Sequence, residues 1–353
     1  MRSPLFTCKS VILLAVVVLP ACAHSLSRST PTQETIISTA PFNLTQSDTP
    51  GPSPASPPVT TPLPGWYHTL PASRDNLLFQ YALVSDPQAK VYNSLQDALK
   101  DSSHFTRLPS APGYVAYTGV EVLSDQTFYI LRYGKTMRAE DLQPAAYSSF
   151  SGILIEEDVD FRFGWVLSET VSGDASGLPL HTYSRYQLVQ ESTTDERRSG
   201  FIAVGSDEWL PESSLAMVDP ALPPEAGLYS CRFIYVDLSE QILSAYDDCR
   251  PIFATLVSSG QEAGWTRAGE FAVLFKMEYR TTSSDDSAVS PYYLESVPYF
   301  MTYFGEFGIH AAYWHDQFGF PVSHGCINLS PADTAWLYAW ARLGERVFIS
   351  NGY

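Results

Sequence analysis

From about residue 76 to 218 the chain is a succession of short β-type runs separated by turn residues, and that pattern limits it to mainly β architectures. Residues 78–84, 113–117, 120–123, 127–133, 164–167, 183–189 and 200–204 each read as a strand rich in Val, Ile, Tyr and Phe. A short helix is expected over 94–100. Strands this short and this closely spaced suggest small barrels.

A weak internal repeat divides the region. Residues 129–142 and 201–215 each read as a strand, a Gly turn (Gly134, Gly205), a large residue (Met137, Trp209) and an acidic segment ending in Leu142 or Leu215. This pattern resembles the close of a bacterial SH3-like module. The resemblance implies two such modules, at 76–145 and 150–220. They would bind wall peptides or a partner, or else pack against a neighbouring domain and shape its groove. His104 and His181 are isolated and read as surface or turn residues.

The N-terminus has the features of an export signal. Arg2 and Lys9 precede an apolar run over 11–19, shorter than the roughly 20 residues needed to span a bilayer but suited to a secretory signal. Leu19, Pro20, Ala21 and Cys22 then resemble a bacterial lipobox, in which Cys22 is lipidated. The competing reading is cleavage at the A-x-A site formed by Ala21, Cys22 and Ala23. Residues 23–65 are rich in Ser, Thr and Pro and read as a disordered linker. The expected location is extracytoplasmic, at the cell wall and membrane-anchored, with plain secretion as the alternative.

At 353 residues the chain has room for two or three domains. Its net charge of -17 argues against nucleic acid, whose phosphates are bound by Lys and Arg. Cys231 and Cys249 flank two alternating runs joined near Glu240, which read as a hairpin. They are either a cross-strand disulfide or two free, partly buried thiols.

The chemistry is concentrated near the C-terminus. Cys326 follows Ser323, His324 and Gly325; His310 lies 16 residues before it, and His315 lies between. A free thiol has a pKa of about 8.5, and a neighbouring imidazole activates it. Gly325 leaves room beside the sulfur. Ser330, Pro331 and Asp333 read as the capped start of a helix running to about Leu343 and stopped at Gly344, with Trp336, Leu337, Trp340 and Leu343 in the core. His310, His315, His324 and Cys326 are ligand types that suit zinc, but they lack a recognised spacing. No metal or cofactor is expected.

The His310 and Ser-His-Gly-Cys pattern resembles the signature of the L,D-transpeptidase (YkuD) catalytic domain. The order of elements from about 230 to 350 agrees with it, including Thr266 and Gly269 of a Thr-x-x-Gly turn and Lys276 on the next strand. Ala311 and Asn328 depart from its commonest residues. The resemblance implies a β-sandwich-like catalytic domain at 228–353 with a C-terminal helix, and a lid at or near 281–291. It implies Cys326 as nucleophile, His310 as general base and backbone N–H groups at Gly325 and Cys326 as oxyanion donors. His315, beside Asp316, competes with His310 as base. His324 would support the groove, and Tyr303, Tyr313, Trp314, Ser323 and Asn328 are candidate substrate contacts. The implied reaction joins peptidoglycan stem peptides by 3→3-type cross-links, with release of D-alanine. D-amino-acid exchange and protein anchoring use the same thioester. Carbapenem-type inhibitors are expected to bind. The alternative is a non-catalytic wall-binding lipoprotein.

Overall fold

The structure is a computed structural model that describes residues 65–71, 77–192, 198–221, 223, 231–284 and 291–352. The leader with Cys22, nearly all of the Ser/Thr/Pro-rich linker and much of the expected lid lie outside these residues. Thr60–Tyr353 packs as one unit. Among the described residues no helix is long and apolar enough to cross a membrane.

The first segment contains β1 (Tyr67–Thr69), β2 (Gln80–Val84), β3 (Val91–Tyr92), α1 (Leu95–Leu99), β4 (Phe105–Thr106), β5 (Gly113–Leu123), β6 (Gln126–Leu131), β7 (Thr136–Arg138) and β8 (Gln143–Pro144). The two strands expected at 113–117 and 120–123 are one. Pairing with β6 shifts between Tyr117 and Gly119, so the irregularity is absorbed as a bulge without breaking the strand.

The second segment contains β9 (Ile153–Ile155), β10 (Phe163–Val166), β11 (Thr170–Gly173), β12 (Pro179–Tyr183), β13 (Leu188–Gln190), β14 (Phe201–Gly205), β15 (Glu208–Pro211) and β16 (Leu215–Val218). The run expected as one strand over 183–189 is broken by a turn at 184–187, where Gln187 N–H donates to the Ser184 carbonyl at 3.0 Å. The two halves of the internal repeat share local structure. In each, a strand carrying a buried large residue, Met137 or Trp209, is followed by one 3-10 turn and then Leu142 or Leu215. The described strands form open sheets, with no closed barrel among them.

The third segment contains β17 (Phe233–Asp237), β18 (Ile242–Asp247), β19 (Arg250–Leu256), β20 (Gly269–Ala272), β21 (Phe275–Ser283), β22 (Tyr293–Phe304), β23 (Phe307–Ala311), β24 (Ile327–Leu329), α2 (Pro331–Trp340) and β25 (Arg346–Ser350). β17 and β18 are the expected hairpin, and Cys231 and Cys249 close its open end as a disulfide. Their near-continuous apolar sequences suit strands covered on both faces. A seven-stranded sheet runs β1-β9-β19-β18-β17-β25-β20. Its core, with Ile234, Val236, Leu243 and Phe253, meets Met301, Ile309, Ile327 and Leu337 from β22, β23, β24 and α2.

Both N-terminal segments are built into this domain. β5 pairs in parallel with β22, Gly113 opposite Tyr293 and Tyr114 opposite Leu294, so one eleven-stranded sheet contains strands of both. Across this seam Ala116 N–H donates to Glu295 Oε2 at 3.0 Å, and the Tyr81 hydroxyl donates to the Ser296 carbonyl at 2.8 Å. Phe163, Trp165 and Ala216 of the second segment share a core with Ile242, Leu256, Ala312 and Phe318.

α2 starts as expected, with the Ser330 hydroxyl accepting from Asp333 N–H at 3.2 Å. It ends at Trp340, short of the expected Leu343, because Ala341 is extended. Its last carbonyls have cationic partners: Lys276 donates to Tyr338 and Ala341, and Arg232 to Trp340. Leu343, expected in the core, is 67% exposed. Asp333 is fully buried and accepts from Gly152 N–H at 2.8 Å and the Thr255 hydroxyl at 2.6 Å. Burial pushes its carboxyl up to about 6, against the pull of those donors.

A carboxyl raised in the folded state favours folding at low pH. That contribution is lost as pH rises from about 4 to about 6. Asp333→Asn therefore gains stability relative to the parent across that window, by roughly 2–3 kcal/mol if the full shift is realised. Thermal melts of both proteins from pH 4 to 7 measure the difference.

Candidate active site

The site rests on three residues of parallel pairing. β23 and β24 align Ile309 with Ile327, His310 with Asn328 and Ala311 with Leu329. Strand alternation sends Ile309, Ala311, Ile327 and Leu329 into the core, all 0% exposed. The opposite face carries His310 and Asn328. Cys326, directly before β24, packs against the cluster that contains Phe300, the ring on which His310 stacks.

Cys326 is half-buried, and the Gly308 backbone N–H lies on the side of its sulfur where it favours the thiolate. Desolvation pushes the thiol up to about 11, with the Arg280 charge opposing it. His310 is 4% exposed and stacks on Phe300 at 4.8 Å between ring centroids, with Trp314 at 5.8 Å. Desolvation lowers its imidazole to about 4. The resting site at neutral pH therefore holds a neutral thiol and a neutral imidazole, not a thiolate–imidazolium pair.

The two histidines that compete in the sequence are joined by one amide. Asn328 Nδ2 lies 3.3 Å from His310 Nε2, and Asn328 Oδ1 lies 3.2 Å from His315 Nε2. His310 Nδ1 faces the Ala311 carbonyl at 3.2 Å, and Gln317 N–H donates to His315 Nδ1 at 3.1 Å. The donors and acceptors assign the tautomers. His315 carries its proton on Nε2 and donates to the amide oxygen; His310 carries its proton on Nδ1, and its Nε2 lone pair accepts from the Asn328 amide. Asp316 does not orient His315. Its carboxylate accepts from the Ser148 hydroxyl and from Arg185 at 3.5 Å, and the Tyr186 hydroxyl donates to its carbonyl at 2.9 Å.

The loop before the cysteine is held from within. The Ser323 hydroxyl donates to the Cys326 carbonyl at 2.6 Å and accepts from Gly325 N–H at 3.0 Å. The Gly325 amide, expected as an oxyanion donor, is thus engaged inside the loop at rest. Gly325 has φ +120, and a Cβ there would lie 2.5 Å from the Phe307 ring, so its role is conformational. Thr266 donates to the Gly325 carbonyl at 2.9 Å and accepts from Gly260 N–H at 2.7 Å. Sequence reasoning placed Thr266 in a turn motif but missed this link.

His324 is exposed, with its ring between Trp265 at 5.6 Å and Tyr292 at 4.9 Å. Trp265, Arg267, Phe304, Phe307 and His324 line a cavity of about 340 Å³ beside the cysteine loop. Trp265 and Tyr292 were not singled out from sequence; no periodicity distinguishes an aromatic that walls a groove. Tyr303 and Tyr313, expected as groove walls, are 3% and 0% exposed. Tyr313 stacks on Tyr81 at 3.6 Å, so both tyrosines are core residues. Trp314 is half-buried against His310 and His315. Ser323 and Asn328 support the loop and the histidines. Among the described residues no group of three or more His, Cys, Asp or Glu is placed to hold a metal ion.

The family model of the L,D-transpeptidase catalytic domain, YkuD, matches residues 232–349, which contain every residue of this face. Residues 232–349 form an L,D-transpeptidase catalytic domain. Solved structures of L,D-transpeptidases are similar to this part of the chain. The E. faecium L,D-transpeptidase catalytic domain, solved by NMR, is 30% identical over 35% of this chain and 100% of that one, with a TM-score of 0.32. The same domain acylated by ertapenem is 30% identical over 35% and 98%, with a TM-score of 0.31. The Ldtfm–avibactam carbamoyl enzyme is 30% identical over 36% of this chain, with a TM-score of 0.33, and the match spans 51% of its length. No curated protein matches the chain.

The neutral thiol of the L,D-transpeptidase domain has a kinetic consequence. Alkylation of Cys326 by iodoacetamide at pH 7 is expected to run roughly two orders of magnitude slower than that of a free thiol. Its rate should rise with pH toward about 11 without levelling near neutrality. Peptide-level mass spectrometry of labelling from pH 6 to 11 checks this.

Proposed function

We propose that the protein is an exported peptidoglycan L,D-transpeptidase acting through a Cys326 thioester. The observation that carries the reading is the meeting of Cys326 and His310 at Phe300, with Asn328 paired to His310, within the matched domain. Cys326 Sγ attacks the carbonyl carbon of the third residue of a stem peptide. Because thiol and imidazole are both neutral at rest, the proton moves as the sulfur attacks. His310 Nε2, the nitrogen without a proton, accepts it and gives up its contact with the Asn328 amide. The Gly308 N–H steadies the negative charge growing on the sulfur.

Collapse of the tetrahedral adduct breaks the amide bond to the terminal D-alanine, whose amine takes the proton from His310. The amine of a second stem then attacks the thioester, a 3→3-type link forms, and its proton returns the thiol to its neutral state. The 340 Å³ cavity beside His324 is apolar enough to seat one peptide arm. The signal sequence and the linker support an extracytoplasmic, lipid-anchored location through Cys22. The repeated strand and 3-10 pattern supports SH3-like modules at 76–145 and 150–220. Their shared cores with the catalytic domain favour a role in shaping its groove.

Intact mass after incubation with ertapenem tests the reading, since a solved relative is acylated by that compound. One adduct per chain is expected in the parent and none in Cys326→Ala. An unmodified parent that also fails to release D-alanine from a tetrapeptide would support the wall-binding lipoprotein instead.

A further inference from the structure

We propose that Arg280 is a specificity residue that binds the carboxylate of the leaving terminal residue of the donor peptide. This rests on the transpeptidase reading and names the group that the site selects. Arg280 lies on β21 opposite Val297, with its guanidinium carbon 4.9 Å from the centroid of the Phe300 ring. That ring stacks on His310. The guanidinium therefore stands over the aromatic that backs the catalytic histidine, and its positive charge acts on both Cys326 and His310.

Its present partner is a weakly held carboxylate. Arg280 pairs with Glu306, in the turn between β22 and β23, whose side chain is 83% exposed. An ion pair with so exposed a group contributes little, so a second carboxylate can replace Glu306 at small cost. The guanidinium fork suits such an exchange because it binds carboxylates through two parallel N–H groups.

The donor's chemistry brings a carboxylate to this place. In a stem ending in a free amino acid, the terminal carboxylate carbon lies three bonds beyond the attacked carbonyl carbon, within about 4 Å of it. A cation whose charge is felt at Sγ therefore also acts on that carboxylate when the thiol attacks. The chain's net charge of -17 repels an anionic donor at long range, so recognition needs a local positive group. Arg267 lies elsewhere, lining the cavity with Trp265 and Phe304, and provides an internal control.

The test compares kcat/KM of the full-length protein for three synthetic tetrapeptide donors. One ends in a carboxylate, one in a carboxamide, and one keeps the terminal carboxylate but has the side-chain carboxylate of its third residue amidated. The parent is expected to favour the terminal carboxylate over the carboxamide by about tenfold or more. Arg280→Gln should lower the rate on the carboxylate donor about tenfold more than on the carboxamide donor, whose smaller loss reflects the charge removed from beside Cys326 and His310; an unchanged thermal melt shows that the variant is folded. Arg280→Lys should restore part of the preference, and Glu306→Gln should lower KM for the carboxylate donor.

Equal treatment of the first two donors by the parent overturns the proposal. So does an equal loss on both in Arg280→Gln, or a preference removed by Arg267→Gln instead. A preference that follows the third residue's side-chain carboxylate overturns the assigned source. Turnover of no donor by the parent removes the transpeptidase reading itself.

Discussion

The pairing of His310 with Asn328 across β23 and β24 is the constraint on which the site depends. The core side of that short ladder is apolar and fully buried, which holds its register. A slip of one residue would send Ile309 and Ile327 toward the reacting face and Asn328 into the core. In the observed register the Asn328 amide meets His310 on one side and His315 on the other, and its two ends set complementary tautomers. The same burial that secures the ladder keeps thiol and imidazole uncharged. The resting site therefore holds no thiolate–imidazolium pair.

The N-terminal segments act on this ladder through chemistry, not only through bulk. The turn at 184–187 brings Arg185 and Tyr186 onto Asp316, in the loop that carries His315, and Ser148 meets the same carboxylate. β5 pairs with β22, whose Phe300 stacks on His310. Tyr81 of β2 stacks on Tyr313, three residues past His310. An aromatic pair of this kind contributes about 0.5–1.5 kcal/mol beyond its burial.

Local features of the fold were legible in the sequence. The Ser330 cap, the 232–247 hairpin and the repeated strand patterns are encoded within a few residues and read correctly. Cys326, His310 and Asn328 could be named from the sequence, but the link of Asn328 to both histidines could not. What local pattern does not carry is long-range pairing: nothing near Gly113 announces that β5 lies beside Tyr293. Side-chain destination was similarly hidden. Asp316 adjoins His315 in the chain but turns to Arg185, while Leu343 keeps a helical spacing after the helix has ended at Lys276 and Arg232. Tyr303 and Tyr313 sit among residues that line the groove, yet packing places both in the core.

The central claim is that Cys326 becomes acylated by a stem peptide. Its most direct test is the intact mass of the full-length protein quenched in acid during turnover of a tetrapeptide donor without acceptor. Acylation predicts a gain equal to the donor minus its terminal alanine, located on Cys326 and discharged by added amine. A protein that releases alanine with no such adduct, or carries the adduct on another residue, would contradict it.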